Sequence, residues 1–303
     1  MFKTENAMVI LGDCIEEIAK MPSNSIHYSI YSPPFASLYT YSASDRDMGN
    51  CRTTEEFMEH YQFLCDELYR VLMPGRLLSF HCMLIPSSKE RDGFIGLKDF
   101  RGDLIRSHQK AGMIYHSEVV IWKDPVTAMQ RTKALGLLHK QIKKDSCMSR
   151  QGIPDYLITM RKPGSNPEPV DGMFDRYVGS DHVTASDPTR FSIEVWQRYA
   201  SPVWMDINPS DTLQGESARE HEDERHICPL QLQVIERGIE LWTNPGDTVL
   251  SPFGGIGSEG YVAVRAGRKS VSIELKQSYY DQNCRNIASA ESLAKQGSLF
   301  HAD

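Results

Sequence analysis

A chain of 303 residues with 40% hydrophobic and 24% charged content can bury a substantial core, as one large domain or one domain carrying an inserted lobe. Its net charge of −7 excludes a uniformly basic nucleic-acid coat. The opening apolar run is too short for a signal segment, and no stretch approaches the roughly 20 apolar residues that cross a bilayer, so a cytosolic protein is expected. Seven cysteines, at 14, 51, 65, 82, 147, 228 and 284, are scattered without a Cys-x-x-Cys pair or zinc spacing, which predicts reduced, mostly buried thiols and no metal centre.

Residues 26–32, "IHYSIYS", read as a strand that stops at Ser32-Pro33-Pro34-Phe35. Two residues without a backbone donor end a ladder abruptly, and by themselves they mark an ordinary turn. Residues 54–72 carry Phe57, Tyr61, Leu64, Leu68 and Leu72 at three- and four-residue spacing, predicting an amphipathic helix that the Pro74-Gly75 turn ends. Strands are predicted at 76–82, 117–123 and 155–162, with a helical pattern at 101–112. From about 124 to 225 the pattern weakens into loop chemistry such as "KPGSNPEPVDG". Alternation then returns: a helix over 229–242, a turn at 244–247, a strand at 248–253, a helix at 257–267 and a strand at 269–274. This order predicts an α/β fold, a mostly parallel sheet with helices on both faces.

Charge is uneven along the chain. Residues 131–150 carry six Lys/Arg (Arg131, Lys133, Lys140, Lys143, Lys144 and Arg150) against one Asp, whereas 211–225 carry six acids against two Arg. The first run is either a solvated helix face or a track for a phosphate backbone, and the second a solvated linker or helix face.

The stretch 247–275 places a glycine-rich bend, Gly254, Gly255 and Gly257, between a strand and a helix, with Glu274 at the end of the following strand. Glycines let a backbone turn sharply and approach a ligand, and a carboxylate about 20 residues on can accept from ribose hydroxyls. A purely structural bend is the competing reading, because the full G-x-G-x-x-G spacing is missing.

"SPPF" at 32–35 together with "SPFGGIG" at 251–257 resembles the amino-group DNA methyltransferases, which modify N4 of cytosine or N6 of adenine with S-adenosyl-L-methionine. The lead-in "GDCIEEIAKMPSNSIHYSIYSPPF", the segment "LYRVLMPGRLLSFH" and the stretch "HICPLQLQVIERGIELWTNPGDTVLSPF" extend the likeness over both ends. The catalytic motif comes first and the cofactor motif last, similar to the circularly permuted beta class. The resemblance implies a Rossmann-like methyltransferase fold in which 1–123 form the catalytic half, 124–225 an inserted target-recognition region and 226–303 the cofactor-binding half.

It further implies roles for individual residues. Ser32 Oγ and the Pro33 carbonyl would accept from the target amino group, Pro34 would stiffen the loop, and Phe35 would stack on a flipped base. On the cofactor side stand Ser251, Pro252, Phe253 facing the sulfonium, Gly254, Gly255, Gly257, Glu274 and Leu275. Asp13 and Cys14 lie near the adenine, and the segment from His226 to Pro229 forms a second wall. Asp13 also suits a helix cap, and His226 a plain loop residue. Tyr39 and Tyr41 are either core aromatics or part of the substrate cleft, and the basic run becomes a candidate for double-stranded DNA, as does 176–204. A homodimer and a companion restriction enzyme are partners compatible with such an enzyme.

Two positions depart from the family pattern: Ser251 stands where many members have Asp, and Arg76 where a second Gly often follows the Pro-Gly turn. Ser at position 32 favours cytosine N4 over adenine N6. The rival readings are a DNA-binding module that no longer catalyses, and a methyltransferase acting on RNA or on a protein glutamine.

Overall fold

The structure is a computed structural model that describes residues 1–35, 48–51, 53–87, 89–132, 135–170, 196–213 and 229–299. Its strands are β1 (Phe2–Lys3), β2 (Ala7–Leu11), β3 (Ile26–Tyr31), β4 (Leu72–Met83), the hairpin β5 (Ile85–Ser87) and β6 (Gly96–Lys98), β7 (Ile114–Ile121), β8 (Asp155–Arg161), β9 (Val203–Trp204), β10 (Thr248–Ser251) and β11 (Lys269–Glu274). The helices are α1 (Cys14–Ala19), α2 (Thr54–Val71), α3 (Lys89–Asp92), α4 (Phe100–Lys110), α5 (Pro125–Thr132), α6 (His139–Lys144), α7 (Leu232–Trp242), α8 (Ser258–Arg265) and α9 (Gln277–Leu299).

Among the described residues the main sheet has nine strands in the order β1-β2-β11-β10-β3-β4-β8-β7-β9. From β2 through β4 every neighbouring pair is parallel. β8 lies between β4 and β7 and runs antiparallel to both, a placement that alternation along the chain does not reveal. Residues 155–161 and 203–204 are thus strands of the main sheet.

Period-two alternation sends successive residues of a strand to opposite faces. On β3, Tyr31 joins a core with Phe57, Tyr61 and Leu64 of α2 and Leu104 of α4, while Tyr28 and Ile30 join Val234, Ile235 and Ile239 of α7. Both faces of the strand are therefore buried, which is why it reads as a near-continuous apolar run. Val264 of α8 and Ile287 of α9 cover Ala7 and Val9 of β2.

The helix over 54–72 is α2, but Pro74-Gly75 does not end it. Leu72 is already extended at φ −66° and ψ 139°, and Gly75, at φ +73°, lies within the span of β4. Four of the seven cysteines, Cys14, Cys51, Cys65 and Cys82, are buried and outside any disulfide, with Cys147 exposed and Cys284 half-buried. Cys228 lies outside the described residues. Among the described residues no helix is long and apolar enough to cross a membrane.

Arg76 has a structural role that accounts for the missing glycine. It is 2% exposed and donates to Asp247 Oδ2 at 3.0 Å, tying the start of β4's paired stretch to the turn before β10. Asp247 Oδ2 also accepts from Asn244 N at 2.8 Å. His27 Nε2 lies 3.7 Å from Asp247 Oδ1 and 3.3 Å from Glu168 Oε2. This His-Glu-Asp group has ligand-like spacing, but His27 Nδ1 accepts from Thr248 N at 3.1 Å, so a neutral ring carries its proton on Nε2, facing the carboxylates. With the Arg76 guanidinium beside it, the cluster suits a proton and a cation already in place, not a metal.

Removing one partner of a buried pair strands the other charge. Arg76→Met is expected to lower unfolding stability by about 3–5 kcal/mol, with Arg76→Met/Asp247→Asn recovering part of the loss. Urea unfolding of both variants measures this.

His108 yields a second expectation. It is fully buried, stacked on Phe80 at 5.1 Å, and its Nε2 lies 3.0 Å from Tyr31 Oη and 3.1 Å from Tyr61 Oη. Burial lowers its pKa from 6.5 to about 3. Between those values the unfolded chain binds a proton that the native state refuses, so this contribution is complete above pH 6.5 and is lost as pH falls toward 3. Its slope is at most about 1.4 kcal/mol per pH unit. In a comparison of urea unfolding from pH 7 to pH 4, His108→Phe should show a shallower loss than wild type.

Candidate active site

In parallel pairing, the carboxyl ends of β2, β11, β10, β3 and β4 open on one edge of the sheet. Ligands in open α/β sheets bind beyond such ends, where the strand order reverses. Here the reversal lies between β10, from which the chain moves outward through β11, and β3, from which it moves the other way to β4. Val249 pairs with Tyr28 and Leu250 with Ser29, and Ser29 Oγ donates to Leu250 O at 2.8 Å. The two motifs, 221 residues apart along the chain at that bond, therefore emerge side by side. The Tyr31 and Phe253 rings are 5.8 Å apart across the seam.

Each motif residue has a definite setting. Ser32 and Pro34 are half-buried and Pro33 is buried. Phe35 packs partly on the core, its ring 6.1 Å from Phe100. Ser251 and Pro252 are buried and Phe253 is half-buried. The Ser251 hydroxyl is buried without a hydrogen-bond partner, as is that of Ser272, its register partner on β11.

The glycine loop wraps Glu274. Gly255 N donates to Glu274 Oε2 at 2.7 Å and Lys276 N to Oε1 at 2.8 Å. A carboxylate carries about four acceptor sites, and here it both shapes the loop and faces the same edge. Gly257 has φ +91°, and a Cβ there would overlap the Asn283 side chain. Asn283 Nδ2 reaches Gly254 O at 3.4 Å and Gly255 O at 3.3 Å, holding the loop open as a cradle.

Gly12 N donates to Glu274 O at 2.9 Å, which brings Asp13 beside the cradle. Asp13 is the N-cap of α1, its Oδ1 accepting from Ile15 N at 2.9 Å and Glu16 N at 3.1 Å, so the capping role is realised. Cys14 is buried, and burial pushes its thiol up. Leu275 and Pro229 are half-buried. His226, Tyr39, Tyr41 and Lys133 lie outside the described residues, as does the side chain of Arg131. Lys140, Lys143 and Lys144 are exposed on α6, and Arg150 donates to Gln151 O at 3.2 Å. No hydrogen bond or ion pair among the described residues links these cations to the motif loops.

Residues 26–285 match the sequence model of a DNA methylase family, the N6/N4 methyltransferases. The chain belongs to that family. It is 24% identical over 303 residues to the DNA adenine methyltransferase YhdJ of Escherichia coli, covering 97% of this chain and 88% of the relative. It is 22% identical over 301 residues to the type II methyltransferase M.MjaI of Methanocaldococcus jannaschii, covering 91% and 89%. Among solved structures, a putative DNA modification methylase from Thermus thermophilus complexed with S-adenosyl-L-methionine superposes with a TM-score of 0.66 at 20% identity, over 94% of each chain. The cytosine-N4-specific PvuII DNA methyltransferase gives 0.62 at 18% identity, over 97% of this chain and 93% of that one. The Rossmann-like methyltransferase fold and the enzyme class expected of the two motifs are both established for this chain.

Sequence reasoning passed over His81, which touches Ser32, and Asp155 and Lys123, which follow in line behind it. Their signal is faint: a His in the apolar run "LLSFHC" and an Asp opening "DYLITM" are polar groups where a strand should be apolar.

The loop geometry can be probed by stability. Gly257→Ala combines positive φ with overlap against Asn283, and should cost more than the about 1–3 kcal/mol of a strained backbone alone. Gly255, at φ +49° with nothing within 4 Å of an added Cβ, should cost only that strain. Urea unfolding of the two Ala variants distinguishes them.

Proposed function

We propose that the protein moves a methyl group from S-adenosyl-L-methionine to the exocyclic amino group of a base flipped out of duplex DNA, with N4 of cytosine as the favoured position. The observation that carries this reading is the junction of Ser32-Pro33-Pro34-Phe35 and Ser251–Gly257 at the ends of two paired strands, closed by the Tyr31–Phe253 contact at 5.8 Å. The cradle at Gly254–Gly257, where an extra Cβ at Gly257 would overlap Asn283, and the orphaned Ser251 hydroxyl suit the amino-acid part of such a cofactor. In this reading Glu274 accepts from its ribose hydroxyls and Asp13 lies near its adenine. When bound, the cofactor supplies an activated methyl group on a sulfonium.

The chain's own residues do the rest. An exocyclic amino group is a weak nucleophile because its lone pair is delocalised into the ring, and in a duplex it is paired and out of reach. Ser32 Oγ and the Pro33 carbonyl accept its two hydrogens and favour a pyramidal nitrogen. Pro34 stiffens the loop, and Phe35 offers a face to the base. Alignment alone supplies a large part of such a rate. The parts of 124–225 outside β8 and β9, with Lys140, Lys143, Lys144 and Arg150, and with Tyr39 and Tyr41 just after the motif in sequence, serve recognition of the duplex.

A second reading, N6 of adenine, is favoured by the likeness to the Escherichia coli adenine methyltransferase. Ser, Asn and Asp all accept from an amino group, so both bases remain chemically available to this motif.

Mass spectrometry of nucleosides from duplex DNA treated with the protein and S-adenosyl-L-methionine decides between them. N4-methylcytosine is the expected product; N6-methyladenine would replace the base assignment, and label in RNA or protein alone would overturn the substrate. Ser32→Ala and Phe35→Ala should each lose transfer while binding the cofactor with wild-type heat in calorimetry. Normal turnover in both would remove the motif from the chemistry.

A further inference from the structure

Groups from three other parts of the chain form a line that ends at Ser32. Ser32 Oγ lies 3.3 Å from His81 Nδ1 and 3.4 Å from His81 O, near the carboxyl end of β4. On the far side of the ring, His81 Nε2 lies 3.1 Å from Asp155 Oδ2 at the start of β8, an ion-pair distance without the alignment of a hydrogen bond. Asp155 holds Lys123 Nζ, just past β7, at 2.5 Å. Because β8 is antiparallel to its neighbours, its first residue falls at the same edge as the last residues of β4 and β7.

Charge orders this line. Asp155 is 2% exposed; burial raises its pKa, but His81 and Lys123 outweigh that effect and hold the carboxyl below the usual carboxylate range. An ionised carboxylate at Nε2 selects the tautomer protonated there, which leaves the Nδ1 lone pair facing Ser32. The one Ser32 hydroxyl hydrogen then has two acceptors on the same residue, His81 O at 3.4 Å and the Nδ1 lone pair at 3.3 Å, and donation to Nδ1 keeps the Oγ lone pairs for another donor. The other charged groups around this strand are committed elsewhere: Arg101 pairs with Glu118 at 2.9 Å and covers the Tyr156 ring at 4.8 Å. The neighbouring Cys82 thiol is buried and pushed up by burial and by Asp155.

We propose that His81 is a positioning residue for methyl transfer, holding the Ser32 hydroxyl as a donor to Nδ1 and taking its proton as Ser32 Oγ receives one from the amino group. The proposal rests on Ser32 being the acceptor for that group. The balance is closed: the N–C bond forms as the S–C bond breaks with its electron pair left on sulfur, and the methylated nitrogen then sheds one proton. That proton passes to Ser32 Oγ while the hydroxyl proton moves to His81 Nδ1, and Asp155 stabilises the imidazolium. Motif membership alone assigns no such role to the strand beside the motif. The competing account is a buried histidine that merely ties β4 to β8.

The test uses the full chain as His81→Ala, His81→Asn, Asp155→Asn and Ser32→Ala. His81→Ala should lower kcat by about 10²–10⁴-fold, the range of a lost proton-transfer partner, with KM for duplex DNA and cofactor affinity changed by less than about twofold. His81→Asn keeps a side-chain acceptor near Nδ1 but takes no proton. It should recover part of kcat without restoring the full wild-type rate. Nitrogen NMR of histidine-labelled protein, without cofactor or DNA, should show His81 protonated at Nε2 and its signals moved by both Ser32→Ala and Asp155→Asn. Wild-type kcat and pH profile in folded His81→Ala, or a proton on Nδ1 in the native protein, would overturn the proposal. If Ser32→Ala is inactive while His81→Ala is normal, only the histidine's role fails; if Ser32→Ala is fully active, the reading of Ser32 fails first.

Discussion

The parallel pairing of β3 with β10 is the constraint on which the rest depends. Two short apolar strands, joined by the Val249–Tyr28 and Leu250–Ser29 register and by the buried Ser29 hydroxyl on Leu250 O, bring together segments more than 200 residues apart. Both strands stop at the same level, because proline follows within two residues of each end: Pro33 after Tyr31, and Pro252 after Ser251. The backbone that leaves them has no ladder to join, and this is where backbone carbonyls and glycine surfaces become available to a ligand.

Burial of polar groups then separates the two edges of the sheet. At the amino ends of β3 and β10, Arg76, Asp247 and His27 form a closed charge network around a turn. At the carboxyl ends, Ser32, His81, Asp155 and Lys123 form a line that ends at the motif loop. Between them the Tyr31–Tyr61–His108 cluster stays neutral in the helix-covered core, fixing the ring that meets Phe253. A charge network costs desolvation at either edge. At one edge that cost secures a turn; at the other it orients a hydroxyl.

Much of this was legible in the chain. The amphipathic spacing of α2 and the apolar runs of β3, β10 and β11 are local signals, since a 3.6- or 2-residue period survives whatever packs against it. Both motif loops were visible too, because proline and glycine act on the backbone of their own segment. Asp13 was readable as a cap for the same reason. The boundary after α2 was misplaced: Pro74-Gly75 looked like a helix stop, while the chain had already become extended at Leu72 to reach its partner on β3.

By itself, then, the sequence determined the elements, the order of the two motifs and the family that they announce, because each is written in residues close along the chain. Only the tertiary structure decided that β8 runs backwards between β4 and β7, that Arg76 belongs to Asp247, and that His81 and Asp155 stand behind Ser32. Those facts depend on which distant strands share hydrogen bonds, and strand direction leaves no periodic trace in the residues that adopt it. A histidine in an apolar strand is a packing anomaly until the neighbouring strand supplies the carboxylate that orients it.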